Sequence, residues 1–304
     1  MSIFKKKKIC ITHNGAFHTD DLFATATLSI LNNGNIKIIR TRDQKIIKKG
    51  DYVCDVGGIY DSETNRFDHH QKIGAGARPN GIPYSSFGLV WKTYGEKLCG
   101  DKDVADFIDK KIVQPIDAID NGMDITTSKF ENIEQYTIND IFKAFYPTWK
   151  EKVNDVDKIF EKEVEKVVFL LKREIKATKD NVEGEKIIMS DYNKTEDKRI
   201  IILSQPFHRF LVSSVLPKLP EPIYYICPSG HSNEWKVETV SKSPSTMESR
   251  KLFPLPWRGL MEGDTNLREI TGISDIIFCH KSGYLAHVKT KEGAIKLAEK
   301  AIMS

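Results

Sequence analysis

Residues 8–58 alternate two hydrophobic periods, and that alternation constrains the fold more than any other feature of the chain. "KICITH" is a short, β-branched apolar run that reads as a buried strand ending at His13. "THNGAFHTDD" then turns, and Thr19 is placed to cap a helix through "DDLFATATLSIL". Asp20 and Asp21 fall in its first turn, where the helix dipole favours acids. "IKIIRTR" reads as a second strand, "DQKIIKKG" as a short helix or turn, and "DYVCDVGG" as a third strand. Strand, helix and strand at this spacing predict a parallel α/β sheet. Ligands of such sheets collect beyond the carboxyl ends of the strands, where His13 and Asp55 both stand.

Downstream, "IYDSETNRFDHH" reads as a hairpin whose second arm carries a histidine pair, and "GAGARPNG" as a flexible loop. Pro83 suits a helix start, and "PYSSFGLVWKTYGEKL" opens a helical stretch that continues in pieces through "DVADFIDKKIVQPIDAIDNG". The clearest helix covers 153–175, where Val153, Val156, Phe160, Val164, Val167, Leu171 and Ile175 recur three or four apart. "TKDNVEGEK" reads as a polar break before the strand-like "KIIMS" and "RIIILSQ". The boundary therefore falls near 181: an α/β domain over 1–180, and a smaller α+β domain over 181–304 with strands "IYYICP", "WKVETV" and "DIIFCH". The last helix is "TKEGAIKLAEKAI".

Composition narrows the function classes. Hydrophobic residues make up 40% of the 304 and charged residues 29%, a globular profile. The formal net charge of +4 admits a polyanionic partner without demanding one. Five widely spaced cysteines with no C-x-x-C pair argue against a disulfide framework or a zinc ribbon. No apolar run reaches the roughly 20 residues that span a bilayer. "MSIFKKKKICITH" lacks the apolar core of a secretory signal, and its lysines read as a solvated lead-in to the first strand. The expectation is an intracellular protein, cytoplasmic by default, with nucleus and mitochondrion open and no membrane contact.

Four of the eight histidines fall in two short segments of the first 70 residues, among acids. "HNGAFHTDD" offers His13, His18 and Asp20, "CDVGG" offers Asp55, and "RFDHHQ" offers Asp68, His69 and His70. "AIDNG" adds Asp120. Singly, each has a plain structural explanation: a satisfied histidine, a first-turn acid, a residue before a turn. Jointly they gather at the carboxyl ends of successive α/β elements, which is the pattern of a metal site. Mixed carboxylate and imidazole donors suit Mn2+, Mg2+, Fe2+, Co2+ or Zn2+.

"HNGAFHTDD", "DVGGIYDSETNRFDHHQ", "SSFGLVWKTYG", "DAIDNG", "SRKLFPLPWRGL" and "IFCHKSGYLAHVKTKEGAIKLA" together resemble the Myg exonuclease family, also called metal-dependent protein hydrolases, of the DHH phosphoesterase superfamily. The match runs in the family's order over nearly the whole chain. It implies a DHH-type parallel-sheet domain joined by a long helix to a smaller α+β domain. It also implies a centre of two divalent metal ions, with manganese favoured and Co2+, Ni2+, Fe2+, Zn2+ and Mg2+ open. Eukaryotic members act as 3′–5′ RNA exonucleases. Carried over by position, His13 and His18 would bind one ion and Asp20 the other. Asp55 would bridge them, and His69 and Asp120 would complete the shell of the second ion. Asp68 would orient the pair, leaving His70 to face the substrate phosphate. The broader superfamily usually has aspartate at His18, whereas the Myg family shares the histidine. Asp21 stands where the family commonly has glutamate, which helix-start chemistry explains.

The proline-punctuated "SRKLFPLPWRGL" concentrates Arg250, Trp257 and Arg258, and "FCHKSGY" adds His280. Arginine grips phosphate bidentately and tryptophan offers a flat face to a base, so these four are the candidate substrate contacts. Trp257 would serve a core equally well. The resulting expectation is a two-metal phosphodiesterase, a 3′–5′ exonuclease of RNA or single-stranded DNA, using in-line attack by a metal-bridging hydroxide. Alternatives are a pyrophosphatase-like or small-dinucleotide phosphoesterase, and a metal-stabilised nucleic-acid-binding protein without turnover. The last is disfavoured because six donors exceed the four of a closed structural zinc site. The oligomeric state stays open.

Overall fold

A computed structural model describes residues 6–152, 155–230, 232–264 and 266–304. They form a mixed α/β chain with two five-stranded sheets, and the chain divides into two compact units, Met1–Lys179 and Asp180–Ser304.

The first sheet follows from the opening alternation. β1 (Lys8–Thr12) pairs in parallel with β2 (Ile36–Arg40) and with β3 (Tyr52–Cys54). Between them run α1 (Thr19–Leu31) and the short α2 (Gln44–Ile47). The hairpin of β4 (Tyr60–Asp61) and β5 (Arg66–Phe67) is antiparallel within itself, and β5 joins β3 in parallel, giving the order β2-β1-β3-β5-β4. Ile11, Val53 and Ile47 bury together on one face, and α1 is buried along most of its length. Three carboxyl ends, of β1, β3 and β5, thus open in the same direction.

Two local expectations change. The N-cap of α1 is His18, not Thr19: its backbone is extended (φ −116°, ψ 177°) and its N–H donates to Asp21 Oδ1 at 3.0 Å. α3 (Ser86–Cys99) begins after an extended Ser85, three residues past Pro83, because Pro83 pairs with Ala77 in an isolated bridge. The same bridge orders the "GAGARPNG" segment, whose Arg78 is buried and ion-paired to Asp109 and Asp117, both at 2.7 Å. Beyond α4 (Lys102–Ile108), a π-helical turn (Asp109–Val113) leads into α5 (Gln114–Asp120), and α6 (Ile138–Lys143) follows.

The larger correction concerns α7, which spans Val156–Lys194. Phe160, Val164, Val167, Leu171 and Ile175 are buried, as their spacing predicts, and Val153 lies outside the described residues. The "TKDNVEGEK" and "KIIMS" segments are helical instead of a break and a strand. Gly184 explains the misreading. A Cβ there would overlap the Leu211 side chain, so this glycine permits close packing and does not end the helix. Ile188, one turn on, is fully buried among Val212, Leu216 and Tyr225.

The second sheet contains β6 (Ile200–Ile202), β7 (Tyr224–Pro228), β8 (Trp235–Thr239), β9 (Ile276–Cys279) and β10 (Leu285–Val288). Its order is β6-β7-β8-β10-β9, parallel only between β6 and β7. α8 (Arg209–Val215) precedes β7, α9 (Leu267–Thr271) precedes β9, and α10 (Lys291–Met303) closes the chain. α10 buries Ala294, Leu297, Ala298 and Ala301 with Ile226, Val237 and Val288. All five cysteines are buried free thiols, and no helix among the described residues is long and apolar enough to cross a membrane.

Candidate metal centre

The carboxyl ends of β1, β3 and β5 deliver His13, Asp55 and the Asp68–His70 segment to one place. The starts and ends of helices supply the rest. His18, Asp20 and Asp21 come from the cap and first turn of α1, and Asp120 from the last residue of α5.

Asp55 lies at the middle. Its backbone is left-handed (φ 56°), a conformation that aspartate and asparagine tolerate better than other side chains. Asp55 Oδ2 is 3.2 Å from His13 Nε2, and Oδ1 is 3.4 Å from both His69 Nε2 and His70 Nδ1. His69 Nε2 is also 3.3 Å from Asp120 Oδ2. His13 donates its Nδ1–H to the Asn14 carbonyl at 3.1 Å, which aims Nε2 at Asp55 and at Asp21 Oδ2, also 3.2 Å away. The positive-φ Gly57 and Gly58 turn the chain so that the Gly58 N–H donates to Asp68 Oδ2 at 2.5 Å. Asp68 Oδ1 accepts from the His70 N–H at 3.0 Å and from His70 Nδ1–H at 2.8 Å. His70 is thereby oriented with its side chain 61% exposed, while that of His69 is 10% exposed.

Buried polar atoms in this cluster lack hydrogen-bond partners. His13 Nε2, both oxygens of Asp20, Asp21 Oδ2 and Asp55 Oδ1 are inaccessible and make no hydrogen bond. Buried polar atoms are nearly always paired, and several unpaired acceptors facing one another call for a cation. Titration behaviour says the same. Burial, followed by the charges of Asp55, Asp120 and Asp21, drives the Asp20 carboxyl well above its usual range, and burial also raises Asp21 and Asp120. For Asp55, burial is outweighed by the facing imidazoles of His13 and His69, which hold its carboxyl below the usual range. For His13, burial is outweighed by Asp21 and Asp55, which push the imidazole up to about 10. Protons thus neutralise part of this crowd, and a divalent cation would displace them.

Three overlapping donor sets each bring one atom per residue within 4.8 Å: His13, His18 and Asp55; Asp55, His69 and His70; and His18, Asp20 and Asp120. All six ligand positions expected from the sequence converge here. Asp21 was missed as a site residue. One of its oxygens does cap α1, but the other faces His13. The paired "DD" after a capping position was the available signal, and the cap alone explained it too well. Arg40 was also missed. Buried at the end of β2, it lies 4.6 Å from the Phe160 ring centroid and donates to the Gly15 carbonyl at 2.9 Å, bracing the loop between His13 and His18.

The C-terminal candidates do not form a comparable cluster. Arg250 donates to the carbonyls of Pro217, Pro220 and Pro222 at 2.8–3.1 Å, which commits its guanidinium to the fold. Trp257 is 5% exposed and packs with Phe253 in the second unit's core, so its ring is core material in place of the expected platform for a base. Arg258 donates Nε–H to the Phe253 carbonyl at 2.8 Å and lies over Gly283, where a Cβ would overlap the guanidinium. His280 is half-buried, accepts the Ser282 N–H at 3.1 Å and tilts against Tyr284.

The model of the MYG1_exonuc family, described as an uncharacterised protein family (UPF0160), matches residues 8–302. The human protein named MYG1 exonuclease is 29% identical over 94% of this chain and 84% of its own length. The MYG1 protein of Dictyostelium discoideum is 30% identical over 97% and 96% respectively. A solved structure described as an exopolyphosphatase-related protein from Bacteroides fragilis covers 98% of this chain and 92% of its own at 11% identity. Its TM-score is 0.22, too low to bear on the fold.

Proposed function

The chain belongs to the MYG1_exonuc family, and from that premise we propose that its histidine–carboxylate centre hydrolyses phosphodiester bonds, removing nucleotides from the 3′ end of RNA. The observation that carries this reading is the set of buried, unpaired acceptors on His13, Asp20, Asp21 and Asp55, converging where three strand ends meet. The printed name of the human relative, an exonuclease, supplies the reaction class. The 3′–5′ direction and RNA rest on the family resemblance, as does affiliation with the DHH phosphoesterases.

His13, His18 and Asp55 would hold one divalent ion, with Asp21 beside them, and Asp20, His69, Asp120 and the shared Asp55 the other. Bound divalent cations supply charge for the phosphoryl oxygens and make water acidic enough to attack near neutral pH. The protein's own contribution is positional. Asp55 presents one oxygen to His13 and the other to His69, so a single carboxylate serves both sides of the centre. Asp68, with its hydrogen bonds from Gly58 and His70, fixes the His70 ring and holds the proton on Nδ1. With Nδ1–H held by Asp68 and the ring exposed, the doubly protonated imidazolium would carry its other proton on Nε2 and could pass that one to the departing oxygen. Arg258 and His280 would hold the polyanion through contacts that weaken with salt.

The test uses 5′-labelled RNA and metal-stripped protein. Adding Mn2+ should produce a ladder of 5′-labelled products shortened from the 3′ end, with mononucleotides released. Asp55→Asn should abolish turnover while keeping the melting temperature near wild type, because asparagine also tolerates the left-handed backbone. Metal-independent cleavage, or full activity of Asp55→Asn, would overturn the reading. Cleavage confined to pyrophosphate or dinucleotides would reassign the substrate.

A further inference from the structure

Beside the metal centre the first unit contains a cavity of about 660 Å³, within the roughly 300–1,000 Å³ typical of small-ligand sites. It is formed by the loop before α1, the end of α5 and the α6 segment. His18 and Asp120 belong to both the cavity lining and the candidate donor sets, so the two spaces are continuous.

Its chemistry is uneven. Phe17, Phe142 and Tyr146 make an aromatic wall, in which Tyr146 is half-buried and meets Phe17 edge-to-face with centroids 5.3 Å apart. Asn139, also on the lining, has a buried side-chain oxygen with no hydrogen-bond partner. Exposed Lys143 stands at the rim. A ligand matching these features has a flat face for the aromatic wall, an N–H donor for Asn139 and an anionic group for the ions that His18 and Asp120 would hold. A sugar phosphate has only the last of these, and a lipid chain lacks the donor.

We propose that this cavity is a base-binding subsite, receiving the nucleobase of the terminal nucleotide whose phosphate lies at the metal centre. The inference rests on the phosphodiesterase reading for the placement of the phosphate, but the preference for a base is testable apart from turnover. It also explains how one nucleotide is seated at a time: the aromatic wall sets one ring, and the phosphate attached to it falls at the ions. Stacking tolerates every base, so such a subsite suits stepwise removal of mixed sequence.

The test compares calorimetric affinities of the full-length protein, in Mn2+, for adenosine 5′-monophosphate and ribose 5-phosphate. Wild type should prefer the nucleotide by roughly tenfold or more. In Tyr146→Ala and Asn139→Leu that ratio should fall severalfold toward one. Photolabelling of wild-type protein with 8-azidoadenosine monophosphate should mark the 138–147 segment, which keeps the proposal testable if a variant misfolds. Equal affinities in wild type, an unchanged ratio in both folded variants, or labelling elsewhere would each overturn it. RNA hydrolysis by a protein that binds the nucleotide and ribose 5-phosphate equally would sink the subsite and spare the enzyme reading. A preference for the nucleotide in a protein that cleaves no diester would do the reverse.

Discussion

His69 and His70 show how neighbouring residues of one type acquire different work. β5 ends at Phe67, so the pair lies in irregular backbone, where the alternation of a strand no longer separates side chains. Their rings are 4.3 Å apart and both reach Asp55 Oδ1. What distinguishes them is that His69 is buried against Asp120, whereas His70 is tied to Asp68 and exposed. His69→Ala should therefore lose bound metal on gel filtration and most turnover with it. His70→Ala should keep the metal and lose about 10²–10⁴ in kcat, the usual worth of a positioned proton donor. Metal analysis and single-turnover rates on both variants check this. Equal metal loss would make His70 a ligand through its grouping with Asp55 and His69. The expected ligand positions were legible in the sequence because strand ends and imidazole–acid clusters leave local marks. Asp21 was not, because one residue does two jobs and the cap accounts for its identity without the second.

Helix α5 carries Asp120, and its position is set by Asp117, one turn earlier. Ser85 Oγ–H, the Gly88 N–H and Arg78 all donate to the Asp117 carboxylate, at 2.5, 3.0 and 2.7 Å. Any Cβ at residue 88 would overlap that carboxylate, so α3 and α5 can approach this closely only at a glycine. Gly88→Ala should destabilise the protein by about 1–3 kcal/mol, as overpacking does, and displace Asp120. The expected signature is a lower melting temperature together with weaker Mn2+ binding. A stability loss with unchanged metal affinity would show that α5 does not position the centre. No local pattern announces this brace, since it joins residues 78, 85, 88 and 117 across loops. The parallel sheet was readable for the opposite reason: strand and helix periods are written in consecutive residues. The misread stretch of α7 combines both lessons, because Gly184 looks like a stop signal until Leu211 is seen against it.

Each unit has a buried apolar core of its own, and among the described residues the candidate donors all come from the first. Each ion that binds only the folded first unit adds about 2.7 kcal/mol to its stability at a hundredfold excess over Kd. Chelation should accordingly speed hydrogen exchange by about a hundredfold or more in peptides covering β1, α1, β3 and α5, where exchange requires opening of that unit. Peptides from β7 and β8 should barely change. Uniform acceleration along the chain would mean the units unfold as one, and no change would mean the ions contribute nothing to folding. The start of α1 carries a warning for laboratory evolution. His18 occupies an N-cap, where serine, threonine, aspartate or asparagine would serve the helix better. A library sorted for thermal survival in chelator, where the ions stabilise nothing, would drift toward those residues at position 18, enriching clones that outlast their parent and, on the two-metal reading, cleave nothing.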